Sequence, residues 1–366
     1  MTVYDADGHL MEPEEMFAAL EAEFYPRRPV RVSLPLNTAR GSRDALWAFE
    51  GRVLPSLGGR GTVNFYLPGD THSRGLAASV GAQDLSDPAA RLEDLDEFGI
   101  DKQAIFPTLF LVTLADDPAL ELALFRAYNT YVANACARSG GRLQWAGLVP
   151  FRDPDAARQE LKRISDLGAT AVLTLGMVWD RSLDDPAFLP VFEAAADLDL
   201  PIAIHFGWGS NGLTNLFKGT NTSFSAATTP VLWSFFYLML SGVLTKVPHL
   251  RVGFIETGAG WVPYMVDQVR RRIGLQSDRS GGRTTLPDPL RYFEEGRVFV
   301  ACEHEEDLPY LVSKLGEDCL MGASDYPHGD SSADENFVSE LRRRNDLTAT
   351  ARDKILGGNA ERFFRS

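Results

Sequence analysis

Pro201-Ile202-Ala203-Ile204-His205 is a short apolar run that ends in one polar residue and lies between two longer helical patterns. Such a run is typical of a buried strand in a parallel sheet. Because side chains alternate along a strand, His205 is predicted to lie on the same side as the small Ala203, at the C-terminal end of the strand. Taken alone, His205 is most simply a structural histidine, whereas partners at other strand ends would favour a functional site.

The chain repeats this alternation of apolar runs and helical patterns from about residue 97 onward. With the opening run Thr2-Val3-Tyr4 eight strands are predicted, the other seven being residues 102–106, 144–148, 171–174, 201–205, 251–256, 297–301 and 319–323. The predicted helices are residues 118–137, 154–167, 187–198, 229–244, 261–273 and 307–315. Eight such units predict an α/β fold, a (β/α)8 TIM barrel, in which active sites lie at the C-terminal ends of the strands.

Residues 27–86 interrupt this alternation. They are rich in glycine, proline and arginine and contain strand-like pieces at residues 45–53 and 62–67. We therefore predict one barrel domain over residues 1–366, with residues 27–86 as an insertion after the first strand. This insertion is predicted to form a hairpin that covers the mouth of the barrel.

Composition restricts the class of function. The 366 residues are 45% hydrophobic and 23% charged, with a formal net charge of -14, which predicts a soluble globular protein. Nucleic acid and anionic membranes are not expected as partners because both need a basic surface, so a small-molecule substrate is predicted. The three cysteines lie far apart and the N-terminus has no signal-peptide pattern, so a cytoplasmic location is predicted.

The longest apolar run covers residues 231–244 and is too short to span a bilayer. It predicts a helix that is buried within the monomer or, alternatively, lies in the interface of a homodimer.

Two further strand ends carry residues of the types that bind metal ions. In Asp7-Gly8-His9, the carboxylate and the imidazole lie two residues apart, so both would point to one side of the first strand and form half of a metal site. Asp325 leaves the eighth strand, where it either completes the site or caps the following turn. Two imidazoles with a carboxylate suit one divalent ion, Zn²⁺ or Mn²⁺, better than Mg²⁺ or Cu⁺. His328 is predicted to support a ligand or to contact the substrate.

Several motifs, taken in their order along the chain, resemble one enzyme family. They are Asp5-Ala-Asp7-Gly-His9-Leu-Met-Glu12-Pro13, His205, Ser241-Gly-Val-Leu-Thr-Lys-Val-Pro-His-Leu-Arg-Val-Gly-Phe-Ile-Glu-Thr-Gly-Ala-Gly-Trp261-Val-Pro263, Ser324-Asp-Tyr-Pro-His328 and Gly357-Gly-Asn-Ala-Glu-Arg-Phe363. Together they resemble the amidohydrolase-related family, whose decarboxylase branch contains aminocarboxymuconate semialdehyde decarboxylase and γ-resorcylate decarboxylase. The resemblance covers both ends and most of the barrel, and it leaves the insertion without support.

The resemblance implies a divalent metal ion held by Asp7, His9, His205 and Asp325. The sequence departs from the family pattern after the sixth strand, where members that have a histidine use it in catalysis and this chain has Glu256. Glu256 is predicted to transfer a proton, to act as an extra metal ligand, or to be a salt-bridged structural acid.

Other polar residues have plainer explanations. Glu12 is predicted to orient the loop after the first strand or to cap the helix near Pro13, with metal ligation as the alternative. Glu303 and His304 precede a predicted helix, where negative charge is favourable, and His304 could also support a ligand. His249 precedes the sixth strand, at the opposite end of the barrel, and His72 lies in the insertion.

Residues 207–212, Gly-Trp-Gly-Ser-Asn-Gly, follow the fifth strand and fit the dinucleotide-binding pattern G-x-G-x-x-G. No convincing helix opens at Gly212, and no acidic residue lies about 20 residues further on, so a nicotinamide cofactor is not predicted. We instead predict a loop above the site. Trp179, Phe206 and Trp208 are predicted to be walls for a flat substrate or, alternatively, core aromatics, and Arg181 is predicted to pair with a substrate carboxylate.

The predicted site favours a metal-dependent, non-oxidative decarboxylase of a small aromatic or unsaturated carboxylate. Asp325 or Glu256 would deliver a proton to the carbon that loses CO₂. The alternative is a metal-dependent hydrolase of an amide, a lactone or an activated C–C bond, with Asp325 as the base. An inactive binding barrel is the third alternative, and the presence of all four predicted ligands argues against it.

Overall fold

A computed structural model describes residues 1–31, 47–54, 78–217, 223–279, 286–328 and 333–364. The strands in chain order are β1 (Tyr4–Leu10), β2 (Val30–Arg31), β3 (Trp47–Phe49), β4 (Arg52–Leu54), β5 (Lys102–Pro107), β6 (Leu143–Leu148), β7 (Ala171–Leu175), β8 (Met177–Val178), β9 (Arg181–Ser182), β10 (Ile202–His205), β11 (Val252–Ile255), β12 (Val298–Cys302) and β13 (Leu320–Gly322). The α-helices are α1 (Val80–Asp84), α2 (Pro88–Phe98), α3 (Pro118–Cys136), α4 (Pro154–Asp166), α5 (Leu189–Asp197), α6 (Asn211–Leu216), α7 (Thr229–Ser241), α8 (Val243–Lys246), α9 (Val262–Arg279), α10 (Leu290–Glu294), α11 (Leu308–Leu315), α12 (Phe337–Arg343), α13 (Ala349–Asp353) and α14 (Asn359–Phe364).

Eight strands form one parallel sheet, in the order β1-β5-β6-β7-β10-β11-β12-β13. A parallel bridge between Gly8 and Tyr326 brings the first and last strands of this sheet together. We call this contact between β1 and residues 323–328 the seam. Strands β7, β10, β11 and β12 are wholly buried, as expected where helices cover a parallel sheet. The fold is a (β/α)8 TIM barrel, so the prediction from the sequence is confirmed.

The predicted barrel strands after the first agree with the observed ones to within one residue at each end. The first strand is different, because it continues through Asp7 and His9 to Leu10 and does not end before them. Its pairing with β5 shifts register between Asp5 and Gly8, which is the mark of a β-bulge.

One predicted helix is divided into two. Residues 229–244 form α7 and α8, which are separated by Gly242 at a φ of 72°. A residue with a left-handed backbone conformation commonly ends an α-helix, and glycine adopts this conformation without steric cost. The sequence predicted that the apolar run in this region is too short to span a bilayer. In the structure, the longer segment Phe224–Ser241 has the length and apolar composition of a membrane span, and 44% of it is buried inside the protein. A core helix of a soluble protein meets the same criteria, so this segment is weak evidence for a membrane span.

The described part of the predicted insertion contains a three-stranded antiparallel sheet of β2, β3 and β4. The Trp47 ring packs edge-on against Phe17, which lies in the 3-10 helix after β1. Arg52 donates a hydrogen bond to the carbonyl of Leu114, which follows β5. This small sheet therefore contacts segments on the C-terminal side of the barrel. Residues 62–67 and His72 lie outside the described residues, and covering of the mouth stays a prediction.

Candidate metal centre

Side chains of the metal-binding types converge at the C-terminal end of the barrel. Strand β1 supplies Asp7 and His9, β10 supplies His205, and the segments after β11 and β13 supply Glu256, Asp325 and His328. The ligand atoms of Asp7, His9, His205 and Glu256 all lie within 4.8 Å of one another, and His9, Asp325 and His328 form a second such group. The two groups share His9, so they form one cluster.

His9 lies at the centre of this cluster. Its Nε2 atom is 3.3 Å from Asp7 Oδ1, 3.2 Å from Asp325 Oδ1 and 3.8 Å from Glu256 Oε2. His205 Nε2 is 3.3 Å from the same oxygen of Asp7. Ligand atoms about 2.1 Å from a common ion lie roughly 3.0–3.4 Å apart, so most of these separations fit a shared divalent cation.

The two histidines present the nitrogen that a metal needs. His9 Nδ1 lies 3.0 Å from the carbonyl oxygen of Pro107, and His205 Nδ1 lies 2.8 Å from that of Phe206. A carbonyl oxygen only accepts hydrogen bonds, so each Nδ1 donates its proton there, and each Nε2 is left facing the carboxylates, where a metal ion would replace a proton. In the described residues, the buried Nε2 of His9 has no hydrogen-bond partner. These residues therefore fit a metal ion.

Buried charge accounts for the pKa values of the cluster. Burial lowers the pKa of His9, but the Asp7 and Asp325 carboxylates outweigh burial and raise this pKa to about 10. Burial raises the pKa values of Asp7 and Asp325, but the neighbouring imidazoles hold both values below the usual range for aspartate. The buried carboxylates thus need a positive charge beside them, which a divalent cation would supply in place of a proton.

His328 is held beneath Asp325. Its Nδ1 lies 2.8 Å from Asp325 Oδ1, its Nε2 lies 2.9 Å from Thr108 Oγ1, and its ring stacks on His9 at 3.9 Å between centroids. Burial lowers the pKa of His328, against the opposing charge of Asp325, and this favours the neutral imidazole. The contacts fit the predicted supporting role of His328.

Glu256 and Asp325 both have left-handed backbones, with φ values of 57° and 56°. Non-glycine residues pay about 1–3 kcal/mol for such conformations, which cluster at functional sites. The Glu256 carboxylate faces the two histidines, with Oε2 3.4 Å from His205 Nδ1. This position is compatible with each of the three predicted roles, an additional ligand, a proton carrier and a salt-bridged acid, and the role of Glu256 stays a prediction.

The predicted substrate-binding residues lie in several places. The Phe206 and Trp208 rings contact each other edge to face at 5.2 Å, and Trp208 packs against Ala226 and Ala227. Trp179 lies in the turn of the β8–β9 hairpin and lines a cavity with apolar side chains from β6 and β7. The Trp179 indole donates to Glu121.

The described contacts of Arg181 are with residues outside the cluster. Its guanidinium lies 2.7 Å from Asp185 and 4.7 Å from the centre of the Phe188 ring. The substrate-binding roles of Arg181 and of the aromatic residues stay predictions.

The expectation that no helix opens in the glycine-rich segment is wrong. Helix α6 begins at Asn211, and the Ser210 hydroxyl caps it by accepting a hydrogen bond from Leu213 N. The Asp180 carboxylate accepts a hydrogen bond from Gly212 N at 2.9 Å. An acidic side chain of the protein itself therefore binds an amide at the start of this six-residue helix.

Glu12 and His304 have contacts of a supporting kind. The two carboxylate oxygens of Glu12 accept hydrogen bonds from Thr108 N and Leu109 N, each at 2.9 Å, so Glu12 orients the loop after β5. His304 Nδ1 is hydrogen-bonded to Asp334, in the segment after β13.

Sequence reasoning missed a buried polar network below the cluster, formed by Asp5, Arg91 and Gln103. Gln103 did carry a signal, because it is a polar residue inside an otherwise apolar predicted strand. Arg91 carried none, because its helix has the mixed composition of a surface helix.

Comparison with known proteins identifies the family. Residues 4–366 match the sequence profile of the amidohydrolase family, and the chain belongs to that family and is an enzyme of it. The 2-amino-3-carboxymuconate-6-semialdehyde decarboxylase of Dictyostelium discoideum is 25% identical, over 76% of this chain and 76% of its own length. A γ-resorcylate decarboxylase of Rhizobium radiobacter is 25% identical, over 82% of this chain and 92% of its own length. The resemblance inferred from the sequence motifs is confirmed.

A solved structure supports the fold assignment. A variant of 5-carboxyvanillate decarboxylase from Novosphingobium aromaticivorans, with bound manganese, superimposes with a TM-score of 0.70 and 18% identity. The match covers 100% of this chain and 97% of that protein.

Proposed function

We propose that this enzyme is a metal-dependent, non-oxidative decarboxylase of a small aromatic or unsaturated carboxylate. The observation that carries the proposal is the convergence of Asp7, His9, His205 and Asp325 at one buried position, with ligand-type spacing. The similar proteins that are named decarboxylases support the same class of reaction.

One divalent ion, Zn²⁺ or Mn²⁺, would be held by Asp7, His9, His205 and Asp325. A mixed set of nitrogen and oxygen donors favours these ions, and the manganese in the N. aromaticivorans structure supports Mn²⁺. When bound, the ion supplies Lewis-acid stabilisation for a substrate carboxylate and a neighbouring oxygen.

The side chains around the ion are proposed to move the proton. Loss of CO₂ leaves the electron pair of the broken C–C bond on carbon, and one proton must be delivered there. Asp325 is proposed to take up a proton from solvent water and to deliver it to the carbon, while His328, itself hydrogen-bonded to Thr108, holds the carboxylate in place. Glu256, which faces the same cluster, is the second candidate for this transfer.

Hydrolysis is the competing proposal, because Glu256 stands where the decarboxylase pattern has a histidine. In this case, Asp325 would take a proton from a water molecule that attacks an amide, a lactone or an activated C–C bond.

Isotope labelling distinguishes decarboxylation from hydrolysis. The Mn²⁺- or Zn²⁺-loaded enzyme is incubated with hydroxybenzoates in D₂O and with lactones in ¹⁸O-water. We expect CO₂ release and one deuterium at the carbon that lost CO₂, with no ¹⁸O in the organic products. Incorporation of ¹⁸O into a ring-opened product without CO₂ release would instead support hydrolysis, and inactivity on both panels would favour a binding barrel.

We also propose that two copies of this chain associate through α7. Residues 224–241 contain no charged side chain, and Phe224, Trp233 and Tyr237 are exposed on this segment. Tyr264, on the neighbouring α9, is 65% exposed. Exposed aromatic residues are typical of interface centres, whereas lipid-binding helices carry Lys or Arg beside the apolar face. Two chains with a net charge of -14 would also repel least where the surface is uncharged.

The association is tested by replacing Trp233 with lysine and measuring mass by light scattering after gel filtration. We expect the wild-type chain to be a dimer and Trp233→Lys to shift it toward the monomer. Tyr310→Lys, at an exposed aromatic residue on α11, is the matched control and should leave the dimer intact. A monomeric wild-type chain would contradict the proposal, and co-sedimentation of that monomer with neutral vesicles would assign the α7 face to lipid.

A further inference from the structure

Arg91, on α2, is a fully buried arginine whose hydrogen bonds cross the seam. Its Nη2 atom donates to the carbonyl oxygens of His9, at 3.1 Å, and Tyr326, at 2.8 Å. Its guanidinium carbon also lies 4.3 Å from the centre of the Tyr326 ring. His9 is a proposed ligand on β1 and Tyr326 directly follows the proposed ligand Asp325, so one guanidinium contacts both sides of the site.

A second path of hydrogen bonds leads from Arg91 to the same two segments. Arg91 Nε donates to Gln103 Oε1 at 2.9 Å, and Gln103 Nε2 donates to Asp5 Oδ2 at 2.6 Å. Asp5 Oδ1 in turn accepts from Ser324 N at 2.8 Å and from Asp7 N at 3.2 Å. Asp5 therefore accepts hydrogen bonds from Ser324, which directly precedes Asp325, and from the backbone of the proposed ligand Asp7.

The seam has few other main-chain bonds. Strands β1 and β13 are the two ends of the sheet order and join through the single bridge at Gly8 and Tyr326. Two backbone hydrogen bonds accompany it, from His9 N to Tyr326 O at 2.7 Å and from Asp325 N to Asp7 O at 2.8 Å. The distance between the ligands on β1 and Asp325 thus depends strongly on side chains that bridge the seam.

We infer that Arg91, acting with Gln103 and Asp5, is a positioning residue that sets the metal affinity of the centre. The guanidinium holds five N–H donors in one rigid plane, which lets it bind several acceptors at fixed angles, whereas a lysine ammonium has a single donor atom on a flexible chain. Without this rigid plane, the two sides of the seam would move relative to each other, and His9 and Asp325 would no longer be held at the separation that one metal ion requires. The inference rests on the proposed metal centre.

The test compares Arg91→Lys with Arg251→Lys. Arg251 is also buried and also donates to carbonyl oxygens, those of Phe363 and Asp199, but it precedes β11, at the end of the barrel opposite the site. We expect both variants to unfold at a lower temperature than the wild type. Only Arg91→Lys should weaken Mn²⁺ binding, by roughly 10- to 100-fold, as loss of a group that orients ligands does. Binding is measured by the electron paramagnetic resonance signal of free Mn²⁺, at a temperature where both variants are folded.

Gln103→Leu is a second variant, which breaks the link between Arg91 and Asp5 and should weaken Mn²⁺ binding in the same direction. It keeps the inference testable if Arg91→Lys does not fold. Equal Mn²⁺ affinity in Gln103→Leu, Arg251→Lys and the wild type would overturn the inference while leaving the metal centre intact. Failure of the wild-type enzyme to bind either Mn²⁺ or Zn²⁺ would instead overturn the proposed function.

Discussion

Asp325 is the residue on which both the proposed metal centre and the proposed proton transfer depend. We expect Asp325→Asn to lower turnover by roughly 10²- to 10⁴-fold, because the amide keeps the shape of the carboxylate but cannot exchange the proton. Compared without metal, the melting temperature should stay near that of the wild type, because the amide fills the same buried position at the strand end. Steady-state kinetics and circular dichroism measure the two effects. Normal turnover by the variant would exclude Asp325 from the chemistry.

Substitution of His205 tests the proposed metal centre separately from the proposed proton transfer. We expect His205→Ala to lower the metal content after dialysis, measured by elemental analysis, because one of the two proposed imidazole ligands is removed. His249→Ala is the matched control, since His249 is an exposed histidine that precedes β11. Full metal occupancy in His205→Ala would mean that His205 is not a ligand.

Substitution of Glu256 distinguishes between metal ligation and proton transfer as the role of this residue. Its carboxylate lies farther from His9 Nε2, at 3.8 Å, than those of Asp7 and Asp325 do. We therefore expect Glu256→Gln to retain its metal and to lose turnover. A parallel loss of Mn²⁺ affinity would identify Glu256 as a ligand instead.

The convergence of the proposed ligands was predictable from the sequence for a simple geometric reason. Parallel strands place their C-terminal ends at one edge, so a polar residue that ends an apolar run is predicted to meet others of its kind there. His205 and Asp325 satisfy this rule. Arg91 does not, because its burial depends on the distant carbonyls of His9 and Tyr326.

At the scale of elements, the bulge in β1 lies between Asp5 and Gly8, beside the proposed ligands Asp7 and His9. Gly8 lies in this bulge, and a Cβ atom added there would lie 2.3 Å from the Gln103 side chain, which Asp5 and Arg91 hold in place. We expect Gly8→Ala to lower the free energy of unfolding by about 1–3 kcal/mol, as overpacking does. Urea denaturation measures this change.

Gly274 provides the matched control for Gly8. It lies in α9, and an added Cβ atom there meets nothing within 4 Å. Gly274→Ala should therefore raise the free energy of unfolding by up to about 1 kcal/mol, through helix propensity alone. Equal effects of the two substitutions would mean that the Gln103 side chain moves aside freely.

Elements with regular patterns were predictable, and short or irregular ones were not. Strands such as β7 and β10 are buried on both faces, so their continuous apolar runs identify them. The polar residues Asp5, Asp7 and His9 interrupt the apolar run of β1, and a shift in its pairing with β5 falls between Asp5 and Gly8. Helix α6 was missed because six residues are too few to establish a helical period.

At the scale of the whole molecule, metal binding should stabilise the folded barrel. Binding to the folded state alone adds about 2.7 kcal/mol at a concentration 100 times the dissociation constant. We therefore expect a chelator to lower the melting temperature of the wild-type enzyme and to change that of His205→Ala much less. Differential scanning fluorimetry measures both. An unchanged wild-type melting temperature after chelation would contradict a metal centre that stabilises the fold.

The seam also bears on how the enzyme is made. Asp7 and Asp325 stand near opposite ends of the chain, and a polypeptide under synthesis carries the Asp7–His9 pair long before its last strand exists. Two ligands alone bind an ion weakly, so the growing chain has little means of capturing the wrong metal early. Even with His205 only three of the four proposed ligands precede β13, so the proposed site would be complete only after the barrel closes, and a chain cut short before β13 would lack Asp325.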